Sequence, residues 1–260
     1  MNDIQIGIIG GTGGMGKWFA EFFVREGYTV HVSGRTTGMS FEEMASTCQV
    51  VIVSVPVRVT MEVIEKVGPL MKKESLLMDL TSLKVEPVKT MLGTSVSEVI
   101  GCHPLFGPHV ASIVGHRVVL CPERTAKWLS WLKAILEKND ALVVEASPEK
   151  HDAMMATVQG LNHLNTITMG MVLGKTGVSL SELNRFATPV FQTKLGIVEK
   201  VFTNNPGLYA EIISMNPDIG KIIGWYEETL SELKSMIDQK DAGGLTEMME
   251  EYARLLSPPE

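Results

Sequence analysis

Residues 4–16 read Ile-Gln-Ile-Gly-Ile-Ile-Gly-Gly-Thr-Gly-Gly-Met-Gly, an apolar run passing directly into a glycine-rich turn. Ile4 to Ile9 predicts a strand. Met15 to Glu26 predicts a helix, with Trp18, Phe19, Phe22 and Phe23 on its apolar side. Between them, Gly11-Thr12-Gly13-Gly14-Met15-Gly16 has the G-x-G-x-x-G spacing. The first glycine of that pattern permits a tight turn. The second lets a pyrophosphate approach backbone N–H groups at the helix start, and the third permits close packing of helix on strand. The spacing alone also suits a bare turn in an α/β protein. A strand before it, a helix after it and a second strand at Tyr28 to Ser33 make it a dinucleotide site.

Working outward, short apolar runs recur at Val50–Val55, Ser75–Asp79, Val99–Cys102, Arg117–Cys121 and Ala141–Val144, with a further helix around Val63–Val67. The valine-rich run at 50–55 suits a parallel strand covered on both faces. This alternation predicts an N-terminal Rossmann-type parallel sheet domain over 1–147. Ser147-Pro148, followed by Glu149 and Asp152, then starts a helix. Strand signals all but disappear beyond it. Met154–Leu173 reads as a long buried helix with Gly160 and Gly170 at places of close approach. Further helices fall at 181–185, 190–202, 207–215, 219–237 and 245–256, punctuated by Pro189, Pro206, Pro217 and Gly243-Gly244. The expected architecture is α/β, with a second, all-helical unit over 148–260 for substrate binding and dimerisation.

The 260 residues give a compact-monomer surface of roughly 11,000 Å², so a core forms without disulfides or a structural metal. Cys48, Cys102 and Cys121 make no disulfide framework and no CxxC pair, which points to a reducing, cytoplasmic setting. A net charge of −7 argues against a nucleic-acid surface, though a local basic pocket for a small anion remains open. No signal-peptide pattern, long apolar span, Cys/His cluster or HExxH motif stands in the sequence, so neither membrane insertion nor a catalytic metal is expected.

Ribose recognition of NAD calls for an acidic residue about 20 positions beyond the first glycine. Here Ser33-Gly34-Arg35-Thr36-Thr37 offers a guanidinium and hydroxyls instead, and no acid before Glu42. That set favours NADP over NAD, with a 2′-phosphate near Ser33, Arg35 and Thr36. Polar clusters follow other predicted strands: Ser54-Val-Pro56, Asp79-Leu-Thr-Ser82-Leu-Lys84, and Gly101-Cys-His103-Pro-Leu-Phe-Gly-Pro108. Such carboxyl ends surround the ligand crevice of an open α/β sheet, and Ser54 and Pro56 join the cofactor set. His103, read as part of a turn, either braces its loop or accepts a proton while hydride leaves the same substrate. His163 either packs in its helix or, with Gln159, Asn162 and Asn165, forms a polar cleft wall. Lys194 and Lys200 are candidate cations for a carboxylate, six residues apart rather than the seven that would align them on one face.

These blocks, with His151-Asp152, Gln159-Gly-Leu-Asn-His163 and Thr188 through Ile213, resemble the prephenate dehydrogenase family, the last segment especially the helical half of its enterobacterial type. The resemblance implies oxidative decarboxylation of prephenate to 4-hydroxyphenylpyruvate in tyrosine biosynthesis. It implies His103 as the base on the ring hydroxyl, Ser82 holding that hydroxyl or His103, and His163 orienting the substrate. It also implies a homodimer built through the helical half. The family's carboxylate-binding arginine is matched by Lys200, which keeps the charge and loses the planar fork. That departure opens arogenate or dual-substrate use. The order of elements leaves no room within the chain for a fused chorismate mutase or ACT domain. Two other readings stand beside these: a dehydrogenase for a different small acid, and a nucleotide-responsive dimeric interaction protein without turnover.

Overall fold

Seven strands form one sheet in the order β2-β1-β3-β4-β5-β6-β7. They are β1 (Gln5–Ile9), β2 (Thr29–Ser33), β3 (Val50–Val53), β4 (Leu76–Asp79), β5 (Glu98–Pro104), β6 (Arg117–Arg124) and β7 (Leu142–Glu145). The structure, a computed structural model, describes residues 3–35 and 38–257, so Thr36 of the proposed 2′-phosphate set lies outside the described residues. Strands β1 to β5 run parallel. Strand β6 runs antiparallel to β5, and β7 is parallel to β6. The expected Rossmann-type parallel sheet is thus present, with one antiparallel step between β5 and β6. Residues 105–116 link β5 to β6 without a crossover helix, and a parallel return would need one.

The sheet is a core covered on both sides. Ile6, Ile8, Val50, Ile52, Leu76 and Met78 pack on one face against Phe19, Phe22 and Phe23 of α1 (Gly14–Arg25). Val51, Val53, Leu77 and Val99 face α2 (Phe41–Thr47), α3 (Val57–Val67) and α4 (Val85–Thr94) through Met44, Ile64 and Met91. Two-sided burial explains why β3 is valine and isoleucine throughout. Helices α2, α4 and α5 (Trp128–Lys138) go beyond the sequence reading. The signal for α2 was present in Ser40-x-x-Glu43. The Ser40 hydroxyl accepts from the Glu43 N–H at 3.2 Å, and the Glu43 carboxylate accepts from the Ser40 N–H at 2.8 Å.

After the sheet come α6 (Pro148–Met155), a π-helical segment (Ala156–Leu161) and α7 (Asn162–Thr176), one long helical run with a widened turn in its middle. Ser147 caps α6 by accepting from the Lys150 N–H at 3.2 Å. Then follow α8 (Leu180–Arg185), α9 (Pro189–Asn204), α10 (Pro206–Ser214), α11 (Ile219–Gln239) and α12 (Ala242–Leu256). Gly160 and Gly170 are the places of close approach that the sequence suggests. A Cβ on Gly160 would stand 2.5 Å from Ile219 Cδ1, and one on Gly170 would stand 2.4 Å from the Phe202 ring. Among the described residues no helix is long and apolar enough to cross a membrane.

Candidate active site

The carboxyl ends of β1, β3, β4 and β5 share one edge of the sheet. Chain direction changes sides between β1 and β3, where open α/β sheets bind ligands. At that point Gly10, with φ +84, makes the tight turn. A Cβ there would stand 2.1 Å from the Ser54 carbonyl oxygen. The left-handed position is therefore Gly10, one residue before the glycine that the spacing nominates. Gly11 instead lies where a Cβ would meet Val32, at 2.7 Å. Gly16 packs the first turn of α1 onto the loop, its missing Cβ 2.3 Å from the Gly10 carbonyl.

Thr12, Gly13 and Gly14 are exposed and Met15 is half-buried. Among the described residues, the N-terminus of α1 has no side-chain cap and no acidic residue in its first turn. Its unpaired N–H groups therefore face outward above a cradle of glycine backbone, which suits a pyrophosphate. Ser33 is buried at the end of β2, its carbonyl accepting from Gly10 at 2.7 Å and Gly11 at 3.1 Å. Arg35 is exposed and lines a shallow depression with Ser33, Gly38 and Ser40, although Glu42 and Glu43 line it too. Ser54 is half-buried at the end of β3, and the exposed Pro56 caps α3.

His103 belongs to strand β5 rather than to a turn, and only 4% of it is exposed. Its Nδ1 lies 2.8 Å from Nε2 of His151, and His151 Nδ1 lies 2.7 Å from Oδ1 of Asp152. Asp152 also accepts from the backbone N–H groups of Lys84 (2.8 Å) and Val85 (3.0 Å), at the start of α4. On the other side of the His103 ring, the Gln159 amide donates to Nε2 at 3.4 Å. The π-helical turn carries Gln159, and such widened turns often mark functional sites. Burial above all, then the neighbouring His151 and Lys84, holds the His103 imidazole well below its ordinary range. It is therefore neutral at physiological pH, with proton-accepting capacity.

Beneath this site lies an ion pair of Lys84 with Asp79, both fully buried. The Lys84 ammonium also donates to the Cys102 carbonyl at 3.1 Å, and the Asp79 carboxylate accepts from the Thr81 N–H at 2.9 Å. His163 lies four residues beyond Gln159 along the same helical run. Its ring meets Tyr209 edge-on at 4.9 Å, its Nδ1 is buried without a partner among the described residues, and burial lowers its pKa. Gln159 Oε1 is buried and unpartnered in the same way.

Ser82 is half-buried in the loop after β4 and makes no hydrogen bond among the described residues. The Nδ1 of His103 is met by His151. Lys194 and Lys200 are both exposed on α9. Leu195, Val198 and Val201 form the buried side of that helix, and Lys200 is on the opposite side. Neither lysine bonds another described side chain, and neither contacts His103. Asp152, Gln159, Lys84 and Tyr209 stand around His103 and His163, and sequence reasoning assigned none of them a role of its own. The helical spacing of Asp152, Gln159 and Tyr209 resembles that of ordinary packing residues, and Lys84 stands in the loop before α4.

Comparison with known proteins fits this geometry. A family model described as "Prephenate dehydrogenase, nucleotide-binding domain" matches residues 27–145, and "Prephenate dehydrogenase, dimerization domain" matches residues 147–251. The chain belongs to the prephenate dehydrogenase family. Within that family it is 36% identical to the probable arogenate/prephenate dehydrogenase of Methanocaldococcus jannaschii, over 97% of the chain and 61% of the relative. It is 31% identical to the T-protein of Haemophilus influenzae, over 92% of the chain and 64% of that protein. The chain thus spans less than two thirds of either relative's length. Its fold matches prephenate dehydrogenase of Aquifex aeolicus, solved with hydroxyphenyl propionate and NAD+, with a TM-score of 0.75, 22% identity and 97% of each chain covered. It also matches Synechocystis arogenate dehydrogenase, with a TM-score of 0.72 and 19% identity, covering 95% of this chain and 97% of that one.

Proposed function

We propose that this chain is an NAD(P)-dependent prephenate dehydrogenase of tyrosine biosynthesis, with a nucleotide-binding unit over 1–147 and a helical substrate and dimerisation unit over 148–260. The observation that carries the reading is the buried, neutral His103, aimed from the edge of the sheet that also bears the Gly10–Gly16 cradle. A nicotinamide dinucleotide bound at that cradle supplies the hydride acceptor. His103 Nε2 takes the proton of the substrate's ring hydroxyl as hydride leaves the carbon bearing it. The resulting ring ketone loses its carboxylate as CO₂. The electron pair left behind aromatises the ring, and the phenolate oxygen recovers the proton from His103. No net proton is consumed.

Ser82 is assigned to the ring hydroxyl, and His163 and Tyr209 to a wall of the substrate pocket. Lys200, with Lys194, is assigned to the substrate's carboxylates. Gly11 through Gly16, Ser33, Arg35, Thr36, Ser54 and Pro56 hold the dinucleotide, and Arg35 favours NADP. Lysine at 200 also supports arogenate as a second substrate, because an adaptable point charge is less demanding than a guanidinium fork. Three buried, unpaired cysteines fit a reducing cytoplasm.

A homodimer is supported by surface. The single chain exposes 14768 Å², roughly 3,500 Å² more than a compact monomer of its mass. Apolar side chains of the helical half stand exposed, Met171, Phe186, Leu230, Ile237, Met249 and Leu255 among them, and among the described residues of α12 none is buried.

Steady-state assays of prephenate and arogenate against NAD and NADP test the reading. Reduction of dinucleotide with at least one pair is expected. His103→Ala should lower turnover by roughly 10²- to 10⁴-fold with dinucleotide affinity nearly intact. Dinucleotide binding without turnover of either acid would overturn the assignment.

A further inference from the structure

We propose that Asp152 and His151 are positioning residues that hold His103 in a single tautomer, with its Nδ1 protonated and the Nε2 lone pair always turned toward the substrate. This rests on reading His103 as the proton acceptor. The inference follows from donor and acceptor chemistry along one chain of contacts. A carboxylate can only accept, so the 2.7 Å contact puts the His151 proton on Nδ1. With its single ring proton on Nδ1, His151 accepts at Nε2, and the 2.8 Å contact puts the His103 proton on Nδ1. One nitrogen of His103 is left for chemistry. It is the one facing the Gln159 amide, whose N–H is a compatible donor and whose oxygen has no partner among the described residues.

The anchor of this chain is unusually constrained. Asp152 Oδ1 accepts from His151 and from the Lys84 N–H, while Oδ2 accepts from the Val85 N–H. The carboxylate therefore cannot rotate without vacating the first turn of α4, where the helix dipole also favours its charge. Its backbone carbonyl is held from the helical half by the Asn216 amide, at 3.1 Å. His103, His151 and Asp152 are all at least 96% buried, so water does not compete for these contacts.

An unanchored neutral imidazole exchanges between two tautomers, and the one protonated at Nε2 would offer the substrate hydroxyl a donor where an acceptor is needed. The charged and titratable groups around His103 are Lys84 and Asp79 from the β4 side, and His151 and Asp152 from α6. Gln159 of the π-helical turn is neutral. When His103 takes a proton, the Asp152 carboxylate lies two hydrogen bonds away and offsets the new charge without itself being protonated.

Histidine-labelled nitrogen NMR of the full chain, without substrate, reads the tautomer directly. His103 should show a protonated Nδ1 and a bare Nε2. His151→Leu removes the acceptor and should abolish that signature, lowering kcat by roughly 10²-fold with dinucleotide Kd unchanged. His151→Gln restores an acceptor oxygen and should recover both the signature and turnover to within roughly tenfold of wild type. A wild-type His103 protonated at Nε2, or a His151→Leu protein with the Nδ1–H signature and full kcat, would overturn the proposal. If that variant does not fold, the wild-type spectrum and Asp152→Asn, which should blur the signature, decide the matter. The spectrum needs no catalysis. Failure of wild-type turnover would therefore count against the dehydrogenase reading alone.

Discussion

The ammonium of Lys84, with no solvent exposure, donates to the carbonyl of Cys102 at 3.1 Å, one residue before His103. The same group pairs with Asp79 at the end of the neighbouring strand, so one buried cation ties β4 to the residue that carries the site's chemistry. Lys84→Met leaves the Asp79 carboxylate uncompensated and should destabilise the protein by about 3–5 kcal/mol. The double variant Lys84→Met/Asp79→Leu should regain most of that loss. Urea unfolding of the dinucleotide-free protein measures both. Equal stability of the two variants would mean that charge pairing is not what holds this corner.

Two glycines in the same loop should fail in different ways. A methyl at Gly16 meets the Gly10 backbone carbonyl at 2.3 Å, so Gly16→Ala must move helix α1 and should cost about 1–3 kcal/mol of stability. A methyl at Gly13 meets that same oxygen at an ordinary 3.5 Å and should be tolerated by the fold. It would occupy the path of the pyrophosphate, weakening dinucleotide binding by about tenfold or more, at 1.4 kcal/mol per factor of ten. Thermal unfolding and dinucleotide titration of the pair separate packing from recognition.

Burial lowers the pKa of both His103 and His163, with the Lys84 cation adding to it at His103, and this sets the direction of two pH responses. The acid limb of kcat/KM should fall below the ordinary histidine value of about 6.5, leaving activity flat above it. As pH falls through about 6.5 the unfolded chain takes up protons that the folded sites refuse. Stability therefore decreases on acidification, until the folded imidazoles themselves protonate. The thermal midpoint should be lower at pH 5.5 than at pH 7.5, with a shallower slope in His103→Asn/His163→Asn. An acid limb above the ordinary histidine value would contradict the assigned burial.

Arg35→Ala should weaken NADP more than NAD, by roughly 10- to 100-fold if the guanidinium meets the 2′-phosphate, since a charge-assisted hydrogen bond is worth about 1.5–3 kcal/mol. Glu42 and Glu43 stand in the same depression, and the Glu43 carboxylate is occupied in capping α2. Glu42→Gln should therefore improve NADP binding more than the corresponding Glu43 change. Equal losses of NAD and NADP in Arg35→Ala would place the discrimination elsewhere.

The strands and the glycine turn were legible because burial on two faces and backbone crowding leave direct marks on sequence, as in Val50–Val53 and Gly16. Helix α4 was not legible, because its N-terminal partner is Asp152, 67 residues further on at Val85. The reversal at β6 was hidden for a related reason: no residue type announces which way an apolar strand runs. At the site, His103 stood out through its neighbours Gly101, Pro104 and Gly107, whereas its setting did not. The partners of its ring come from α6 and the π-helical turn, 48 and 56 residues away. Lys84 carried the opposite difficulty, since a lysine next to a helix start usually faces water, and this one is fully buried.

The reversed strand β6 has a mechanical consequence. Because residues 105–116 do not climb into a crossover helix, they fold back over the glycine cradle. Phe106 meets Trp18 edge-on at 5.1 Å, and the Val110 carbonyl accepts from the Trp18 indole at 2.9 Å. The segment that leaves His103 is thus pinned to the helix that receives the dinucleotide. In the proposed reaction, proton acceptor and hydride acceptor would ride on one rigid frame, their spacing fixed before any substrate arrives.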